Sequence, residues 1–383
     1  MLPYGRQSIS EQDIEAVVAT LRGDWLTTGP TVAAFEEAIG ALAGGHRAVS
    51  CTSGTAALHM AYAAAGVGAG DEVVTTPMTF VATASGASLL GAKVLFADVE
   101  EETGLIDPAA VSALVTDRTK VVAAVDYTGH PADYAALQPI AERVGALTLA
   151  DAAHSIGGSA QGSDGQWRPV GDLADLTTFS FFPTKNMTTT EGGAVVAKDP
   201  EIARRANDFH FIGMERRPEA FRTPDQGAWW YEVQEFGLNY RLTDVACALG
   251  LSQLQRLEAF KQRRAQIWAR YNEALAGVDG VRIPVQREGV DPVWHFYCAR
   301  ILDGRRREVF EKMRERGIGV QVNYIPVYWH PAYADQDGGT RYRRGMCPNA
   351  EAFYAEELSL PLFPDLRDDQ VDQVIETLVD ILH

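Results

Sequence analysis

Between about residue 30 and residue 200 the chain alternates short apolar runs with stretches of helical period, and that alternation leaves few architectures open. The runs DEVVTTP, AKVLFADV, KVVAAVDY, ALTLADAA, LTTFSFF and GGAVVAKD read as strands. Most follow an amphipathic stretch, among them TAALHMAYAAAG, DPAAVSALV and DYAALQPIAERVG. Strands separated by helices pair in parallel, because the helix returns the chain to the end of the sheet from which it left. The expectation is a doubly wound α/β domain, a mostly parallel sheet covered by helices.

After Thr243 the texture changes. DVACALGLSQLQRLEAFKQRRAQIWARYNEALAG keeps helical spacing for roughly thirty residues, too long for the earlier units. The boundary is placed there, giving a large α/β domain over 1–245 and a smaller C-terminal α+β domain over 246–383. In the second, HFYCARIL and VQVNYIP read as strands, and REVFEKMRERG and DDQVDQVIETLVDIL as helices.

Composition excludes several classes of function. With 34 basic and 51 acidic residues the net charge is −17, which repels a nucleic-acid backbone. A small phosphorylated ligand remains compatible, since a few backbone N–H groups and a local cation hold one phosphate. Arg216, Arg217 and Arg222 form one cluster and Arg341, Arg343 and Arg344 another, and solvated loop charge is the plain account of both. No run approaches a membrane span, and MLPYGRQSISEQD lacks the basic and apolar regions of a signal peptide, so a cytoplasmic protein is expected. Cys51, Cys247, Cys298 and Cys347 lie far apart with no CxxC, which points to reduced thiols and no metal site.

Three short segments carry candidate chemistry. Thr52-Ser53-Gly54-Thr55 opens a helix after the strand-like AVSC, and such an N-terminus offers N–H groups to a phosphate, although Ser and Thr are also ordinary caps. Asp151 ends an apolar strand in ALTLADAAHS, where a carboxylate needs a cation, either a ligand's or a distant side chain's; capping the next helix is the other account. Lys185 follows LTTFSFFPT, where desolvation by Phe181, Phe182 and Pro183 would favour the neutral nucleophilic amine; a solvated loop lysine is the other account. For Lys185 taken alone that loop account is the commoner one, but together a phosphate cradle, a carboxylate for a pyridinium and a lysine for an aldehyde are the three handles of pyridoxal phosphate.

With those segments in place, the chain resembles the sugar aminotransferase family of pyridoxal-phosphate-dependent enzymes. The likeness runs through DWLTTGPTVAAFEEAI, TSGTAALHMA, PMTFVATASGA, DYTGHPAD, DAAHSIGG, SFFPTKNMTTTEGGAV, GLNYRLTDVACALGLSQL, VQVNYIPVYWHPAY and ELSLPLFP. The resemblance implies the aspartate-aminotransferase-type fold, pyridoxal phosphate fold type I. It implies that Lys185 forms the imine with the cofactor and shuttles a proton, that Asp151 binds the ring nitrogen, and that Ser180, Ser53, Gly54 and Thr55 bind the phosphate. It places Phe80 on the ring, His154 beside the cofactor as in members acting at C4 of the sugar, and Tyr324 and His330 toward substrate. Asn239 resembles a residue given across a homodimer interface to the partner's phosphate. The opening YGRQSISEQDIEAVVATLRGDWLTTGP and VNYIPVYWHP resemble enzymes that aminate a UDP-linked 4-keto-6-deoxy-N-acetylhexosamine toward pseudaminic-acid-type sugars, with L-glutamate as donor. One departure is Thr190, where many relatives carry glycine.

Other readings stay open at this point: a different keto sugar or cyclitol as acceptor, a non-catalytic cofactor-binding protein, or a nicotinamide-dependent sugar oxidoreductase. Against the last, the sole glycine-rich candidate, GVGAGD at Gly66 to Asp71, follows a helix and precedes a strand, the wrong order for dinucleotide binding.

Overall fold

The computed structural model describes residues 1–223, 225–335 and 341–383. The strands of its first half are β1 (Arg47–Cys51), β2 (Glu72–Thr75), β3 (Lys93–Phe96), β4 (Thr119–Val125), β5 (Leu147–Asp151), β6 (Ser159–Gln161), β7 (Trp167–Pro169), β8 (Leu176–Ser180) and β9 (Gly193–Ala197). Seven of them form one sheet in the order β1-β9-β8-β5-β4-β2-β3. From β8 to β3 all neighbours are parallel, while β9 runs antiparallel to both β8 and β1. Every residue of β2, β8 and β9 is buried, as strands covered on both faces must be. All six apolar runs read as strands in the sequence are strands of this sheet.

The accompanying helices are α1 (Glu11–Leu21), α2 (Pro30–Leu42), α3 (Gly54–Ala64), α4 (Ala82–Leu89), α5 (Pro108–Leu114), α6 (Tyr134–Glu142) and α7 (Pro200–His210). Their starts are written in the sequence. Asp107, Asp133 and Asp199 each accept a backbone N–H of the first turn of α5, α6 and α7, and proline stands in the first turn of α2, α5 and α7. After α7, a hairpin of β10 (Met214–Glu215) and β11 (Glu232–Val233) leads into a segment with exposed apolar side chains.

The thirty-residue helical stretch is two helices, α8 (Asp244–Leu254) and α9 (Leu257–Leu275). The break has a cause in side chains. Arg256 turns back to the Ser8 carbonyl and pairs with Asp13 of α1, and Asp13 also accepts Ser252 Oγ (2.6 Å) and Gln253 Nε2 (2.7 Å) from α8. The division at 245/246 is a proposal; α8, just beyond it, packs on α1 and α2, and Cys247 joins the core of the large sheet.

The rest of the chain adds β12 (Val281–Arg282), β13 (Val290–Asp291), β14 (Tyr297–Ile301), α10 (Arg306–Glu315), α11 (Pro331–Ala334), α12 (Pro348–Glu356), β15 (Glu357–Leu360) and α13 (Asp368–Leu382). The antiparallel order is β12-β14-β15, and a second core forms around Tyr271, Tyr297, Val309, Met313, Leu358 and Leu378. HFYCARIL is β14 as expected. VQVNYIP is not a strand: it makes one bridge, Gln321 to Ser359, because the next backbone groups bond to side chains instead. Among the described residues no helix is long and apolar enough to cross a membrane.

Candidate active site

Val125, Asp151 and Ser180, the last residues of β4, β5 and β8, border one cavity of about 350 Å³. Parallel strands end together, so their C-terminal edge gathers side chains from segments far apart in sequence, the usual ligand position in an open α/β sheet. Ser53, Gly54 and Thr55 at the start of α3 close one end of it, and Lys185, His154, Phe80 and Tyr324 line the remainder.

At the α3 end, Ser53 Oγ accepts the Ala56 N–H at 3.1 Å, so the capping account of this serine holds. The N–H groups of Gly54 and Thr55 precede the first intrahelical acceptor they could reach, which leaves them directed out of the helix at its positive end. Gly54 is required by packing: a Cβ there would lie 2.7 Å from Ser180 Cβ and 2.9 Å from its Oγ. The result is a shallow cradle of backbone donors and hydroxyls shaped for an anion.

Asp151 is buried. Thr83 Oγ1 donates to its Oδ2 at 2.6 Å and the Ala153 N–H to its Oδ1 at 3.2 Å. Burial pushes its carboxyl up from the ordinary value, against the pull of Thr83, Ala153 and Lys185. A carboxylate so placed gains from a hydrogen-bonded cation in the cavity. Lys185 supplies one charge nearby but is itself pushed down to about 8 by burial, which Asp151 opposes. Lys185 sits in a turn stitched by Lys185 N–H to Phe182 O (2.9 Å) and Thr189 N–H to Phe181 O (3.1 Å). Phe181 anchors that turn, fully buried edge-on against Phe35 at 5.4 Å.

Three rings form one wall. His154 lies between His295, stacked at 4.4 Å, and Tyr324, near-parallel at 6.3 Å, and the Tyr324 hydroxyl meets His154 Nε2 at 3.3 Å. Burial, then Lys185, holds His154 well below the ordinary histidine range, so its ring is neutral; its Nδ1 is buried with no partner in the protein. Phe80, 58% exposed, reaches into the cavity mouth and contacts Tyr324 at 6.3 Å between ring centroids.

Two expected residues stand apart from this cavity in the single chain. Asn239 is exposed, its Oδ1 accepting Arg241 Nε at 3.0 Å, and His330 begins α11 with its carbonyl accepting Tyr333 and Ala334 N–H groups. Conversely, the sequence reading passed over Tyr4, His295 and Thr184 on the cavity wall, and Thr83 behind it. His295 had a visible signal, a histidine inside the apolar WHFYCAR. Tyr4 had none, since nothing local says that the N-terminus returns to the sheet edge.

A buried imidazole with one unpartnered nitrogen, an anion cradle that a Cβ would fill, a cation-seeking acid and a lysine with a lowered pKa converge on one cavity. The profile of the DegT/DnrJ/EryC1/StrS aminotransferase family matches residues 7–379. The chain belongs to that family. The aminotransferase is 38% identical over 386 residues to the spore coat polysaccharide biosynthesis protein SpsC of Bacillus subtilis (strain 168), covering 100% of this chain and 97% of SpsC. Among solved structures it superposes on the PMP form of Spr1654 from Streptococcus pneumoniae with TM-score 0.92 and 29% identity, covering 100% and 99% of the two chains. Helicobacter pylori PseC, an aminotransferase involved in the biosynthesis of pseudoaminic acid, matches with TM-score 0.89 and 28% identity over 100% and 99%. The aminotransferase is thus a pyridoxal-phosphate-dependent sugar aminotransferase of fold type I, and the oxidoreductase reading is set aside.

Proposed function

We propose that the enzyme transfers an amino group from L-glutamate to C4 of a nucleotide-linked 4-keto-6-deoxy sugar, derived from UDP-N-acetylhexosamine, in the cytoplasm. The observation that carries the site assignment is the meeting of Lys185, Asp151 and the α3 N-terminus at one sheet edge. When bound, the cofactor supplies an electron sink for the carbon that loses its proton. Lys185 Nζ would hold the cofactor's aldehyde and is the group placed to move the proton; its lowered pKa keeps a usable fraction of free base near neutrality. Asp151, oriented by Thr83 and Ala153, would hold the proton on the ring nitrogen. Ser53, Gly54, Thr55 and Ser180 would hold the phosphate, and Phe80 and His154, on the same cavity wall, would border the ring.

Asn239 serves the partner's phosphate in a homodimer. Its exposure and that of Trp229 (79%), Phe236 (97%) and Leu238 (41%) on the same segment support a covered surface there. Tyr324 and His330 are assigned to the substrate side, Tyr324 with direct cavity contact. The sugar assignment is supported by the stated role of PseC and by His154 at the position that the C4-acting members resemble.

The test is half-reaction spectroscopy. Enzyme converted to its amino form with L-glutamate is mixed with UDP-linked 4-keto-6-deoxy-N-acetylhexosamine, with the free keto sugar and with a cyclitol ketone. Rapid return of the original visible band with the nucleotide-linked ketone alone is expected. Equal return with the free sugar or the cyclitol contradicts the assignment.

A further inference from the structure

Behind the ring wall lies a carboxyl group to which the reaction assigns nothing. Glu357, at the start of β15, is completely buried. Its Oε2 accepts the backbone N–H of Asn323 at 2.6 Å, and its Oε1 accepts the Ser359 hydroxyl. Asn323 is held on its other sides as well. The Tyr127 hydroxyl donates to its carbonyl, its Nδ2 donates to Ser359 Oγ at 3.0 Å, and its side chain meets the Tyr4 hydroxyl. The next residue is Tyr324, which lines the cavity and meets His154 Nε2; Tyr4 lines the cavity too.

Burying a carboxyl group costs several kcal/mol unless it is well bonded, so an apolar residue would serve a plain core position better. What an apolar residue lacks is an acceptor for the Asn323 N–H, which this segment leaves without a strand partner. We propose that Glu357 is a positioning residue: its carboxyl group clamps Asn323 and so fixes Tyr324, and through Tyr324 the His154 ring, against the Lys185 cavity. Burial pushes the Glu357 carboxyl up to about 8, and glutamine, whose amide oxygen can take the Asn323 N–H, is a near equivalent as acceptor. The inference rests on the family assignment and not on the identity of the sugar.

The experiment uses cofactor-loaded enzyme with isotope-labelled histidine, following the His154 ring by NMR from pH 5 to pH 8, alongside the rate of the L-glutamate half-reaction. In the wild type the His154 titration lies well below the ordinary histidine range. In Glu357→Leu, release of Tyr324 hydrates the ring and its titration rises toward the ordinary value, while the half-reaction slows at least tenfold per cofactor-bearing site; Glu357→Gln restores both at least halfway. Ser359→Ala, which strips a donor from the carboxyl group and a partner from Asn323, moves both readouts in the same direction by less, and serves if the leucine variant does not fold. His154 titration and per-site rate unchanged in the variants, or Gln as impaired as Leu, overturns the proposal. The NMR readout needs no donor and no sugar, so a wrong donor or acceptor does not mimic its failure.

Discussion

At the scale of residues, Thr190 shows how a sequence departure gains a physical meaning. It has φ 71°, in the left-handed region, and is exposed in the turn that carries Lys185. That conformation costs an L-residue roughly 1–2 kcal/mol, most for a β-branched one, whereas glycine adopts it freely at an entropic cost of about 0.5–1 kcal/mol. Thr190→Gly is therefore expected to stabilise the fold by up to about 1 kcal/mol, raising the melting midpoint by roughly 1–3 °C in calorimetry. A lowered midpoint contradicts this account of the turn. The same scale shows what was legible. Lys185 and Asp151 stood out because a charge at the end of an apolar run violates the local pattern. Thr83, a hydroxyl among other threonines, carried no such violation although it holds Asp151.

At the scale of elements, the strands of the large sheet could be read because both faces are covered, so that every residue of β2, β8 and β9 is buried and most are apolar or small. VQVNYIP has comparable apolarity but its hydrogen bonds go to Glu357 and Tyr127, partners that no local pattern reveals. The break between α8 and α9 was hidden for the same reason, since Asp13 lies some 240 positions from Arg256. The helix α3 makes a sharper prediction. Gly54→Ala leaves helix propensity intact or improved, yet its Cβ collides with Ser180 across the cradle. Cofactor affinity, measured by fluorescence titration, is expected to fall at least tenfold. A dissociation constant within twofold of wild type removes the cradle from phosphate binding.

At the scale of the whole molecule, one chain lines a cavity with every residue expected at the cofactor except Asn239. The sequence could not place that residue geometrically, because in the proposed homodimer its position relative to the site depends on a second copy. Phe236, 97% exposed beside it, is the strongest candidate for an anchor between copies. Phe236→Asp is expected to convert a dimer to a monomer in sedimentation velocity and to weaken cofactor binding in parallel. A wild-type monomer, or a variant dimer with unchanged affinity, contradicts the shared-site proposal.

The central claim is that Lys185 holds the cofactor at the edge of the sheet opposite Asp151. Its most direct measurement is borohydride reduction of the cofactor-loaded enzyme followed by peptide mass mapping. The account predicts one added reduced cofactor on the peptide bearing Lys185, and none in Lys185→Ala. Attachment at a different lysine, or an unmodified Lys185 in the wild type, contradicts it.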